Sequence, residues 1–176
     1  MARKTHVLCA AFPGAGHAVN MFNVATTIAN QDIISHVLVL SRKEGEKWMR
    51  ATGQDENPNV HLQVLGNGQW EDWHPAEPRE LVIQIRSPEY NQAVRETFEE
   101  IRRRFPSDRI TAIISNPLMG GLPILAKELQ LQFLVLNPST GRLLSILDQN
   151  LRRSLDPKFL WLLEGIADPN GSISLW

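Results

Sequence analysis

The sequence predicts an α/β protein, a parallel sheet covered by helices on both faces. Three observations carry that expectation. Short apolar runs alternate along the chain with stretches whose apolar residues recur at helical spacing. The runs are bounded on both sides by amphipathic helical patterns, so neighbouring strands point the same way and are joined by right-handed crossovers. The loops that follow the runs carry glycine, small polar residues or an unusual aromatic. In open parallel sheets the ligand sits beyond the carboxyl ends of the strands, among such loops.

The first run is "HVLCAAF" (6–12), followed by a helix with Ala18, Met21, Phe22, Ala25, Ile28 and Ala29 at helical spacing. "SHVLVL" (35–40) is the second strand, and "RKEGEKWMRA" is a short polar helix whose Trp48 and Met49 can face inward. "NVHLQVLG" (59–66) alternates like a strand, with Val60, Leu62 and Val64 on one face. "NGQWEDWHPAEPRE" is expected to be a long irregular passage. Beyond it, Val94, Phe98, Ile101 and Phe105 mark a helix with Glu96, Glu99 and Glu100 early and Arg102, Arg103 and Arg104 late. That order complements the helix dipole and makes the arginine run a solvated helix end. "ITAIIS" (110–115), a helix carrying Leu122, Leu125, Ala126 and Leu129, "QFLVLN" (132–137), and a helix with Leu143, Leu144, Leu147 and Leu151 complete the pattern.

At 176 residues the chain suits one domain, large enough to bury roughly 70% of its unfolded surface without disulfides or metals. A net charge of −1 gives no electrostatic reason to expect nucleic acid or an anionic membrane as a partner. The one cysteine, Cys9, lies in the first apolar run and is expected to be a buried free thiol in a reducing compartment. The basic start "MARKTH" resembles a secretory leader, but the apolar stretch after it is short, opens on a histidine and closes on a Pro-Gly turn. No run approaches the ~18 apolar residues that span a bilayer. A cytoplasmic location is the expectation.

The search for chemistry narrows to five loops: "PGAGH", "SRKEG", "GNGQWEDWHP", "SNPLMGG" and "NPSTG". His17 and Asn116, from the first and fourth, converge if their strands are neighbours at the switch point of the sheet. An imidazole oriented by a side-chain oxygen is what a general base needs. Two readings of "GAGH" stand side by side. In one, Gly14 and Gly16 begin a G-x-G-x-x-G dinucleotide fingerprint, with Ser41 and Arg42 holding a 2′-phosphate, although Val19 occupies the third glycine's place. In the other, the glycines clear space for an acceptor molecule and His17 projects toward its hydroxyl.

On the second reading, "HVLCAAFPGAGHAVNMFNVATTIA" resembles the opening of the plant-type UDP-sugar glycosyltransferases, where a strand ends in a Pro-then-Gly-His turn before a helix. "ITAIISNPLMGGLPILAKELQLQFLVLNPSTGRLLSIL" is similar to a later segment of that family, in which a strand ends in Ser-Asp and a helix closes in an Ala-x-Glu-Leu phrase. The resemblance implies two facing Rossmann-like domains, of which residues 1–176 form the N-terminal, acceptor-binding one. It implies that the histidine deprotonates the acceptor, an aspartate steadies the imidazolium, and the acceptor oxygen displaces UDP with inversion. His17 matches the base, and Asn116 stands in the aspartate's place. Gly14, Gly16, Trp70, Trp73 and Met119 are expected at the acceptor, with Trp70 and Trp73 offering faces for a phenolic or terpenoid molecule. Asn137 and Ser139 are expected near the donor. No metal and no cofactor is implied beyond UDP-sugar as co-substrate.

Several positions depart from the family pattern. An amide at position 116 fixes the histidine's orientation but carries no charge to balance an imidazolium. Asn20 stands where proline is common, and Gln130 where a helix-ending glycine is preferred. The chain ends at "ADPNGSISLW", and nothing in it resembles the Trp-led donor box of the family's second domain. The expectation is therefore a domain inactive alone, which either works with a separate donor-domain chain, serves as a non-catalytic small-molecule binding module, or is a truncated gene product. In "KFLWLLEGIADPNGSISLW", Trp161 and Trp176 either lack a partner or belong to a helix docking Phe159, Leu160 and Leu163 on the sheet.

Overall fold

The computed structural model describes residues 3–13, 15–54, 56–72, 78–116, 119 and 121–136. The elements are β1 (Thr5–Ala10), α1 (Ala15–Ile28), β2 (Ile33–Val39), α2 (Arg42–Ala51), β3 (Val60–Val64), a 3-10 turn (Leu65–Gly68), α3 (Pro78–Gln84), α4 (Pro88–Arg104), β4 (Arg109–Ser115), α5 (Leu122–Glu128) and β5 (Gln132–Val135). All lie in one compact unit, Met1–Asn137. The helix expected around Leu143, Leu144, Leu147 and Leu151 and the segment holding Trp161 and Trp176 lie outside the described residues.

The sheet is parallel throughout, in the order β3-β2-β1-β4-β5. Chain order reverses between β1 and β4, which makes their carboxyl ends the switch point. Alternation along each strand feeds two cores. Val7, Cys9, Ala11, Val37, Val39, Ala112 and Ile114 pack with Ala18, Met21, Phe22 and Ala25 of α1 on one face. Leu8, Ala10, Leu38 and Ile113 pack with Tyr90, Val94, Phe98 and Ile101 of α4 and Leu122, Leu125 and Ala126 of α5 on the other. Val60, Leu62 and Val64 share the α1 face, as their spacing predicts, and Trp48 and Met49 turn inward beside them. Gly45 lets α2 lie close to β3, since a Cβ there would stand 2.6 Å from Leu62 Cδ1.

Two local features differ from the sequence expectation. α4 begins at Pro88, before the first apolar residue expected of it, because the Ser87 hydroxyl accepts the Tyr90 N–H at 3.1 Å and Pro88 opens the helix. A 3-10 turn with left-handed Gly66 and Asn67 spans the end of the third expected strand and the start of the passage expected to be irregular, which also holds the start of α3. Among the described residues, no helix is long and apolar enough to cross a membrane.

Candidate active site

β1 and β4 are hydrogen-bonded neighbours, with Ala10 level with Ser115. The chain leaving β1 enters α1 at Ala15, so His17 lies in the first turn of that helix. Asn116 directly follows the last residue of β4. The two side chains meet: Asn116 Nδ2 stands 2.9 Å from His17 Nδ1. Asn116 is buried and His17 half-buried, while the Phe12 ring meets the imidazole edge-on at 5.0 Å. The Asn116 backbone carbonyl accepts from Ser115 Oγ and from the Met119 N–H, both at 3.1 Å, which holds the residue in place.

The amide leaves the histidine two proton arrangements. When Asn116 Nδ2 donates, Nδ1 accepts and the ring proton resides on Nε2. When the amide is turned over, Oδ1 accepts from Nδ1–H and the Nε2 lone pair is free to take a proton. A carboxylate accepts only, and would hold the second arrangement alone. The asparagine thus positions the ring without selecting the tautomer a base requires.

The other expected site residues are placed less uniformly. Gly16 lies in the first turn of α1, one residue before His17. Met119 is 1% exposed and Trp70 is 7% exposed, both within the core on the α4 face, where the Trp70 ring lies 6.4 Å from that of Tyr90. Gly14, Trp73, Asn137 and Ser139 lie outside the described residues.

The end of β2 bears on the dinucleotide reading. Glu71 reaches the amino end of α2, where its carboxylate accepts from Ser41 Oγ at 3.1 Å, the Arg42 N–H at 2.6 Å and the Lys43 N–H at 2.9 Å. Those backbone hydrogen bonds hold its carboxyl below the usual glutamate range. The hydroxyl and amides that a 2′-phosphate would meet are therefore already bonded to an anion from the chain itself. Sequence reasoning passed over Glu71, because its partners lie about 30 residues away and no local pattern marks it.

Sequence reasoning also passed over a cluster that runs obliquely across the sheet, from Asp108 just before β4 and His6 near the amino end of β1 to His36 midway along β2 and Gln63 toward the carboxyl end of β3. His6 Nδ1 lies 2.8 Å from His36 Nε2, His6 Nε2 lies 3.1 Å from Asp108 Oδ2, and His36 Nδ1 lies 3.1 Å from Gln63 Nε2. Phe105 covers His6 at 4.7 Å between ring centres. A groove of about 730 Å3 opens beside this cluster between α4 and α5, with Arg102, Phe105, Asp108 and Arg109 in its lining. It is at the amino ends of the strands, away from His17. The legible signal was parity: His6 and His36 share the face of Leu8 and Leu38, and His61 and Gln63 share the face opposite Leu62. Cys9 is fully buried, and burial pushes its thiol up to about 12, so it is inert at neutral pH.

No protein-family model and no curated protein matches the chain. Solved structures do. UGT2 of Phytolacca americana, in complex with UDP-2fluoro-glucose and pterostilbene, aligns over 90% of this chain and 36% of its own, with a TM-score of 0.65 at 15% identity. A UDP-glucosyltransferase from Polygonum tinctorium, capable of glucosylating indoxyl, aligns over 90% of this chain and 35% of its own, with a TM-score of 0.67 at 15% identity. A UDP-glucose: anthocyanidin 3-O-glucosyltransferase aligns over 80% of this chain and 31% of its own, with a TM-score of 0.60 at 17% identity. The chain thus spans about a third of the length of the structures it matches. Its fold is the Rossmann-like α/β fold found in part of these glycosyltransferases.

Proposed function

We propose that residues 1–176 form the acceptor-binding domain of a UDP-sugar-dependent glycosyltransferase that modifies a hydroxyl of a small, flat molecule. The observation that carries this reading is the 2.9 Å contact between His17 and Asn116 at the switch point. In the proposed reaction, His17 Nε2 takes the proton of the acceptor hydroxyl as its oxygen bonds to the anomeric carbon. The bond from that carbon to the diphosphate breaks on the opposite face, and UDP leaves with the electron pair, inverting the configuration. Asn116 holds the ring through Nδ1. Gly14 and Gly16 make room for the acceptor and Trp73 bounds its site, while Met119 and Trp70 support it from within the core. Asn137 and Ser139 are assigned to the donor side. The uracil and diphosphate are bound by a donor domain supplied from outside these residues. A cytoplasmic setting belongs to the same proposal, supported by the buried free thiol of Cys9.

The experiment is glycoside formation from UDP-sugar and a panel of phenolic and terpenoid acceptors, with a candidate donor-domain chain present. Product formation that His17→Ala abolishes is the expected result; transfer unchanged by that substitution rules out His17 as the base. The uncharged Asn116 favours a second reading, a pocket that binds acceptors without turning them over. Calorimetry decides it: micromolar binding of an acceptor with no transfer supports it, and no binding across the panel removes it.

A further inference from the structure

We propose that the imidazole cluster running across β3, β2, β1 and the approach to β4 is a clasp that works by staying uncharged: it ties these strands together near neutral pH, and its contribution to folding is lost in mild acid, where protons favour the unfolded chain. Its bonds follow the spatial order of the sheet. Gln63 of β3 contacts His36 of β2, His36 contacts His6 of β1, and His6 contacts Asp108 just before β4. His6 and His36 are fully buried.

The proton pattern follows from the partners. The Asp108 carboxylate only accepts, so His6 donates through Nε2 and, when neutral, accepts at Nδ1. His36 then donates through Nε2 and accepts at Nδ1 from the Gln63 amide. Every ring nitrogen of the pair is in use. A proton arriving at His36 Nδ1 displaces the Gln63 N–H, and one arriving at His6 Nδ1 displaces the His36 N–H. Turning the Gln63 amide restores one bond but leaves a cation in the interior. The charges near a cation on His36 oppose it: Arg104 from α4, and His61 of β3, whose ring lies 5.3 Å from that of His36 and itself faces Lys4. Asp108 is the carboxylate bonded to the cluster, and it touches His6, not His36.

The ionisation of the rings agrees with this geometry. Burial, with His6, His61 and Arg104 adding to it, pushes His36 down to about 3, and burial also lowers His61. A histidine whose folded value is depressed contributes stability above its unfolded value near 6.5 and loses it as pH falls below that. For His36 alone, the folding constant falls roughly a hundredfold between neutral pH and pH 4.5. β1 and β4 also carry His17 and Asn116 at their other ends, and the β1–β4 register shifts between His6 and Val7, beside the clasp. The clasp therefore helps to hold the frame of the candidate site, whatever reaction that site performs.

The test uses the full chain. Long-range 1H–15N spectra of the imidazoles from pH 8 to 5 are expected to show His36 protonated at Nε2 alone throughout. Urea unfolding from pH 8 to 4.5 is expected to show the hundredfold loss, and His36→Gln, which carries no titrating ring, to remove most of it. A His36 that becomes charged near pH 6 in the folded chain overturns the proposal, as does an unchanged pH dependence in His36→Gln. If that variant does not fold, the wild-type spectra decide the matter alone.

Discussion

The two ends of one strand pair, β1 and β4, each carry a histidine bonded to a polar side chain, and the two contacts do opposite things. At the carboxyl ends, His17 is half-buried, meets a neutral amide at 2.9 Å and has more than one proton arrangement open to it. At the amino ends, His6 is fully buried and both of its nitrogens are committed, to Asp108 and to His36. The difference teaches that a histidine's role is set by how many of its nitrogens the fold has already used. A ring with a nitrogen to spare at an open loop can exchange a proton with a ligand. A ring with none to spare, under Phe105, holds the sheet.

Substitutions at the two ends should separate activity from stability. The largest expected effect is that of His17→Ala: with a donor domain present, transfer falls by roughly 10²- to 10⁴-fold, while the urea midpoint moves little. Comparable loss of both would mean that the two ends are not distinct. His6→Ala is expected to do the reverse, destabilising the fold by about 3 kcal/mol because it leaves His36 Nε2 without its partner in the interior and removes the bond to Asp108. Chemical denaturation measures this, and a change under about 1 kcal/mol would reduce the imidazole cluster to ordinary packing.

Asn116→Asp sharpens the comparison by making the carboxyl end resemble the amino end. A carboxylate holds the Nδ1–H arrangement and balances an imidazolium, so transfer should rise by roughly ten- to a thousandfold, the sense opposite to an Asp-to-Asn change in a protease triad. The rate with saturating acceptor checks it, and no change would argue that Asn116 does not act through His17. The smallest effect belongs to a position at neither histidine. Gln130 ends α5 with φ of 57°, a left-handed conformation, and Gln130→Gly should stabilise by up to about 1 kcal/mol. Thermal unfolding reads it directly.

Much of this was legible in the residues, for particular reasons. Most strands are visible as short apolar runs and β3 by its alternation, and α1, α4 and α5 because their apolar residues recur at helical spacing. Gln130 could be singled out because a glycine is preferred at a left-handed helix end, and the backbone adopts that conformation there. His17 and Asn116 could be paired on the supposition that their strands are neighbours. Trp70 shows the limit: an aromatic in a long loop reads as ligand-facing, yet its ring packs against Tyr90 in the core, because burying so large an apolar surface outweighs what local sequence can reveal.

The sequence by itself determined the alternation of strands and helices, the inward faces and the placing of His17 at a helix start, because these follow from short-range periodicity and turn chemistry. Only the tertiary structure decided which strands lie side by side. That order brought Asn116 to His17 across 99 residues, gave the amino end of α2 to Glu71, and lined Gln63, His36, His6 and Asp108 into one seam. Such contacts join groups far apart in the chain, and they form because a buried polar group is stable only with a partner, wherever in the sequence that partner stands.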